Sequence, residues 1–188
     1  MTSIRLSDGI VKDEILVVGV SFKNTSGKGA ASLVIESGDI ALDTKKVLST
    51  LSDLSATAKQ DEVIKIPGTS TKLIVFTGLG EHKSTFADET LRRAAGSAAR
   101  ALSGNTSATF ALPVRSESAI SAIAEGALLG AYSFNKFRVD SLVSRQAGLK
   151  SITIHSALAK QSDAKQALNS AAIIGEYTTL VRDLINTP

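Results

Sequence analysis

"TKLIVFTGLGEHKSTFADETLRRAAGSAARAL", residues 71–102, is the stretch whose reading decides the fold. Leu73 to Thr77 is short and apolar enough to be buried on both faces, which makes it a central strand. Gly78 and Gly80 then break the pattern. Beyond them Leu91, Ala94, Ala95, Ala98 and Leu102 recur at helical spacing. Thr85 can cap that helix, with Asp88 three residues on in the capping-box position. The small side chains allow the helix to lie close to a sheet. A strand that runs directly into a helix is one unit of an α/β fold, so the next question is whether the unit repeats.

It does. "SATFALP" (107–113) reads as a strand closed by Pro113, and "SESAISAIAEGALLGAYSF" (116–134) as a helix with Ile120, Ile123, Ala127 and Leu128 on one side. "LKSITIHS" (149–156) is a further strand. The last helix spans Ser162 to Ile185, with Ala164, Leu168, Ala171, Ile174, Val181 and Ile185 near the 3.6 period. At ~1.5 Å per residue it is about 35 Å long, enough to leave one domain and reach another. Upstream, "DEILVVGV" (13–20) and "ASLVIES" (31–37) are strands, and Gly38 suggests a nearly antiparallel pair. A helix follows over Thr44–Ala58, with Val47, Leu51, Leu54 and Ala58 on its face. "DEVIKIPG" joins the Leu73 strand through Pro67 and Gly68 as a hairpin-like connection. "NKFRVDSLVSRQAG" (135–148) reads as a loop. Together these give an α/β class with a mixed, mostly parallel sheet.

Composition narrows the chemistry. The 188 residues carry 43% hydrophobic and 21% charged residues and no Cys, which removes thiolate catalysis, disulfides and Cys-based zinc. The N-terminal "MTSIRLSDGI" lacks the apolar core of a secretory leader, and no apolar run approaches a membrane span. A net charge of +3 comes from scattered bases (Lys45 and Lys46, Arg92 and Arg93, Arg138, Arg145), which describes solvated faces better than a nucleic-acid footprint.

Candidate motifs are few. "FKNTSGKGAAS" fails as a phosphate loop, because Phe22 stands where the first Gly belongs and Gly29 follows Lys28. "TGLGEHK" sits between strand and helix, where Gly78 and Gly80 could bring backbone N–H groups to a phosphate, but Lys83 replaces the third Gly. A tight strand-to-helix turn uses the same glycines. His82 and His155 are isolated, and structural or surface roles suit them. The adjacent carboxylates Asp61 with Glu62 and Asp88 with Glu89 cannot converge, since neighbours on a strand or helix do not share a face. No catalytic constellation emerges.

Three strings carry more. "VFTGLGEHKSTFADETLRRAAGSAARAL", "AIAEGALLGAYSFNKFR" and "EYTTLVRDLINTP" occur in this order and resemble blocks of the N-terminal domain of the leucyl aminopeptidases, the cytosolic metalloaminopeptidase family. The resemblance covers Leu73 to Pro188, while residues 1–72 match mainly in pattern. It implies a macro-domain-like three-layer sandwich over 1–160 and a linker helix over 161–188, leading to a catalytic domain outside this sequence. It implies that the parent is cytoplasmic and hexameric and removes N-terminal residues, preferentially Leu, from peptides. Two divalent metals (manganese, zinc or magnesium) would be held by Asp, Glu and Lys of the catalytic domain, where an "NTDAEGR" motif also belongs. No catalytic or metal residue is therefore assigned here. The implied role is assembly and control of access to the active site. Two alternatives stand beside it. One is a nucleotide or ADP-ribose module using Gly78 and Gly80; the other is DNA binding, of which the family has precedents. Val181, Leu184 and Ile185 are expected to lack packing partners.

Overall fold

A computed structural model describes residues 2–9, 15–24, 32–38, 40, 42–136 and 147–188. The Gly-Lys loop around Lys28, and Arg138 and Arg145 in the 135–148 stretch, fall outside these residues. Seven strands are described: β1 (Ser3–Ser7), β2 (Ile15–Lys23), β3 (Ser32–Glu36), β4 (Val63–Pro67), β5 (Leu73–Glu81), β6 (Ser107–Ala111) and β7 (Ser151–His155). The four described helices are α1 (Thr44–Asp53), α2 (Asp88–Ala101), α3 (Glu117–Gly130) and α4 (Ser162–Asn186).

The sheet runs β1-β7-β6-β2-β5-β4. β1, β7, β6, β2 and β5 are mutually parallel, and β4 is antiparallel to β5. β2 pairs with β5 over Ile15–Phe22. On its other side Leu16–Val18 pair with β6, and Gly19–Lys23 pair antiparallel with β3. The expected hairpin, antiparallel pair and mixed parallel sheet are all present.

Alternation along the strands builds two cores. Val17, Val75, Phe110, Ile152 and Ile154 face Leu91, Ala94 and Ala98 of α2 and Ile120 and Ile123 of α3. Leu16, Val18, Ile74 and Phe76 face Val47 and Leu51 of α1. The sheet is therefore the middle of three layers. α2 and α3 approach backbone to backbone. A Cβ added at Gly126 would lie 2.1 Å from Arg92 O, and one at Gly130 would lie 2.3 Å from Gly96 O. The buried Thr77 hydroxyl donates to Ala94 O at 3.0 Å, tying β5 to α2.

Four expectations change. β1 was not anticipated: "SIRLS" is a short edge strand whose Ile4 and Leu6 are only partly buried, so its signal is weak. α1 stops at Asp53 rather than Ala58. Ser55 takes φ +56°, Ser55 N donates to Ser52 O at 2.9 Å and Ala56 N to Leu51 O at 2.9 Å, which is a Schellman termination. Leu54 is consequently 52% exposed rather than on the buried face. α2 begins at Asp88 after an extended Ala87 with no side-chain cap; Thr85 is exposed ahead of it, and Asp88 and Glu89 supply the favourable charge in the first turn. α3 ends at Gly130, with Ser116 as its cap.

Candidate functional site

The carboxyl ends of the parallel strands are where α/β sheets place ligands. Gly78 and Gly80 lie there, but inside β5, which continues to Glu81. The register against β2 slips at this point: Val20 pairs with Gly78 and Ser21 with Gly80, so Leu79 is an extra residue in a bulge. Gly80 has φ +83°, a conformation that favours glycine. A Cβ at Gly78 would lie 1.8 Å from Lys59 O, so residues 58–62 pack on bare backbone. The two N–H groups proposed for phosphate already donate, Gly78 to Glu62 O at 2.9 Å and Gly80 to Ala58 O at 2.8 Å. These glycines build a bulge and a close approach, and the helix start lies further on at Asp88.

Between the starts of α2 and α3 is a cavity of about 280 Å³ lined by Phe86, Asp88, Leu91, Pro113, Arg115 and Ser116. Ser118 Oγ donates to Asp88 Oδ1 at 3.3 Å, and Ser116 Oγ accepts from Ala119 N. Asp88 and Arg115 both line it, so its wall carries one side chain of each charge sign. Glu89 points away, 2.5 Å from Arg92 Nη1. Arg92 Nε also donates to Glu125 at 2.9 Å, linking α2 to α3.

Sequence reading missed one polar cluster. Ser21 Oγ donates to Glu36 Oε1 at 2.6 Å, and His82 Nδ1 lies 2.7 Å from the same oxygen and 3.4 Å from Ser21 Oγ. An ionised carboxylate only accepts, so Nδ1 carries the proton toward Glu36 and cannot take one from Ser21. Ser21 is also fully buried. The cluster therefore latches β3 and the end of β5 onto β2; it is not an activated nucleophile. Finding it from sequence requires the β2–β3 register, which periodicity alone does not supply.

His155 is 8% exposed at the end of β7, with Nδ1 unpaired. Three strand spacings, about 14 Å, separate its strand from β5, which His82 follows. Nearby, Lys160 hydrogen-bonds Asp8 at 2.6 Å and holds its carboxyl below the ordinary range. Asp61 and Glu62 diverge as expected. Glu62 accepts from Thr57 N, while Asp61 accepts from Arg93 and Ser97. The Arg93 hydrogen bond lowers the Asp61 pKa, against partial burial, with Ser97 assisting. Among the described residues no three His, Cys, Asp or Glu side chains converge to hold a metal.

The most distinctive surface is on α4. Ala164, Leu168, Ala171 and Gly175 are buried against the body. From there on, Tyr177, Leu180, Val181, Leu184 and Ile185 are 52–77% exposed, in line with the expectation for Val181, Leu184 and Ile185. Ile173 and Ile174 extend the patch. These positions recur at i, i+3, i+4 and i+7 and so share one face of the helix. Among the described residues no helix is long and apolar enough to cross a membrane.

A model of the cytosol aminopeptidase family, N-terminal domain, matches residues 13–141. A probable cytosol aminopeptidase of Streptomyces avermitilis is 36% identical, covering 100% of this chain and 40% of that protein. The corresponding Mycobacterium tuberculosis protein is 32% identical over 93% of this chain and 34% of its own length. A mutant of tomato leucine aminopeptidase has the same fold over 100% of this chain and 39% of its own, with TM-score 0.74 and 21% identity. A bottromycin maturation enzyme in complex with Mn aligns over 93% of this chain and 32% of its own, with TM-score 0.63 and 19% identity. The chain thus spans about 40% of the length of the first of these curated relatives.

Proposed function

This chain belongs to the cytosol aminopeptidase family, which it matches through the N-terminal domain, and on that premise we propose that it is the non-catalytic part of a cytosolic leucyl-type metalloaminopeptidase. Residues 1–160 form the body. Residues 161–188 are the linker helix, seated on the body by its first half and presenting its second half to a catalytic domain. The observation that carries this reading is the exposed apolar face from Ile173 to Ile185, on a chain that aligns with only two fifths of its relatives. Burying such a face against another domain is favourable by roughly 25 cal/mol per Å² of apolar surface.

In this reading the peptide bond is cut elsewhere. Two divalent metals in the catalytic domain supply a Lewis acid and an activated water. The residues described here do not fit that role, because their carboxylates and histidines are dispersed among separate structural contacts. The domain instead supports the parent's assembly, a hexamer in this proposal, and restricts access to its active site.

Leucine p-nitroanilide hydrolysis with added manganese tests both halves. The 188-residue chain should be inactive, and the complete product of the gene should be active. Turnover by the chain alone overturns the non-catalytic assignment. An inactive complete product overturns the aminopeptidase assignment.

A further inference from the structure

The second half of α4 is held differently from the first. No α4 residue after Gly175 is buried. A groove of about 780 Å³ runs beside this half of the helix, lined by Ile4, Leu128, Leu149, Tyr177, Leu180 and Asp183. The apolar residues that would seat a helix on its own domain mostly face outward instead.

What connects this half to the body is polar and gathered near the helix end. Tyr132, just after α3, donates its hydroxyl to Asp183 Oδ1 at 2.9 Å and accepts from Asn186 Nδ2 at 3.2 Å. Lys136 Nζ lies 3.5 Å from Asp183 Oδ2. Arg182 stacks on the Tyr132 ring at 5.0 Å and donates from Nη1 to Leu129 O at 3.1 Å, satisfying a carbonyl in the last turn of α3. Tyr132 is thus gripped on its hydroxyl and on its face by three residues of α4.

We propose that this clasp, centred on Tyr132 and Asp183, is a positioning device that fixes the direction in which α4 leaves the domain. Polar contacts hold geometry without consuming the apolar face, so the helix is aimed while its docking surface stays open. Tyr132 and Asp183 act through the helix and carry no chemistry. That the aimed face receives a catalytic domain rests on the reading above. The clasp itself is a property of this chain.

The test uses the absence of cysteine in the sequence. Spin labels at Arg100→Cys on α2 and Ile185→Cys on α4 report the distance across the clasp. Amide exchange of residues 177–186 reports local opening. The doubly labelled 188-residue chain with Tyr132 and Asp183 intact should give one narrow distance distribution. Tyr132→Phe and Asp183→Asn should each broaden it and speed exchange in 177–186 at least five-fold, while amides of β2 and β5 change less than two-fold. An unchanged distribution and unchanged exchange in both variants overturns the proposal. So does equal loosening of the body and the helix, which would make the contacts part of the global fold. Neither result bears on whether the complete gene product is an aminopeptidase, so the two readings fail separately.

Discussion

Gly126→Ala separates two opposing forces. Alanine is the better helix former, by about 1 kcal/mol in a helix interior. If propensity alone mattered, the substitution would stabilise α3. In the structure, however, the new methyl would lie 2.1 Å from Arg92 O, 2.8 Å from Arg92 C and 3.0 Å from Arg92 Cα, all backbone atoms of α2. Backbone cannot rotate away as a side chain can, so α2 and α3 must separate by roughly 1 Å to restore ordinary contact. A gap of 0.5–1 Å forfeits about a quarter to a half of each ~0.1–0.2 kcal/mol atom-pair contact, and on the order of 50–100 such pairs line a helix interface. The product spans roughly 1–10 kcal/mol with a midpoint of about 4 kcal/mol, at or just above the ~1–3 kcal/mol typical of measured overpacking. After the propensity gain the net destabilisation is about 3 kcal/mol. For a chain of this size that is a fall in Tm of roughly 5–10 °C. Urea unfolding followed by circular dichroism should show a lower midpoint with an unchanged slope. A variant as stable as the parent, or more stable, would refute the close-approach argument.

Other substitutions probe separate features. Ser55→Gly should stabilise by about 0.5–1 kcal/mol in urea unfolding, since Ser55 is an exposed residue at φ +56° in a position that glycine usually fills. Thr77→Val keeps the shape but removes the hydroxyl bonded to Ala94 O, and should cost about 1 kcal/mol by the same measurement. Leu184→Ser, at a site 68% exposed, should move stability by less than about 0.5 kcal/mol and reduce binding of an apolar dye. The carboxyl of Asp61 has its pKa lowered by the Arg93 hydrogen bond, so its contribution is complete above the ordinary carboxylate value near 3.8 and is lost as pH falls through the lower folded value. Urea midpoints of the parent and Asp61→Asn should therefore differ at pH 6 and converge toward pH 2.

The sequence carries the strands and helices whose pattern is dense. Leu73–Phe76 is apolar without interruption, and the α2 stripe from Leu91 to Leu102 repeats over about three turns, so both are recognisable without knowing their neighbours. What it does not carry depends on pairing. "TGLG" punctuates the end of an apolar run, and a turn is the local inference. Only the register against β2 turns it into a bulge with Leu79 as the added residue. Thr85 and Asp88 have capping-box spacing, but Phe86 is buried and the chain stays extended to Ala87, so tertiary packing delays the helix. β1 offers two half-buried apolar residues and becomes a strand only because β7 exposes an edge to it. The Ser21, Glu36 and His82 cluster joins residues 15 and 46 positions away from Glu36, and no short motif encodes such a meeting. The outward Val181, Leu184 and Ile185 of α4 followed from the family resemblance, which makes this helix a linker to a further domain; the 3.6-period stripe alone put Val181 and Ile185 with the buried Ala164, Leu168 and Ala171.

β1 pairs with β7 in parallel, Ser3 beside Ser151 and Ser7 beside His155. As the chain is synthesised, β1 must therefore wait for β7 to be made. At about 5–20 residues per second, that interval is roughly 7–30 s. Until then β1 has no seat, and the partly built sheet ends at β6. Closing a loop of this length last also raises the mean sequence separation of contacts, which slows refolding of the isolated chain. A nascent chain arrested before residue 150 should hold Ile4 and Leu6 open to a chaperone, and release them only when β7 arrives.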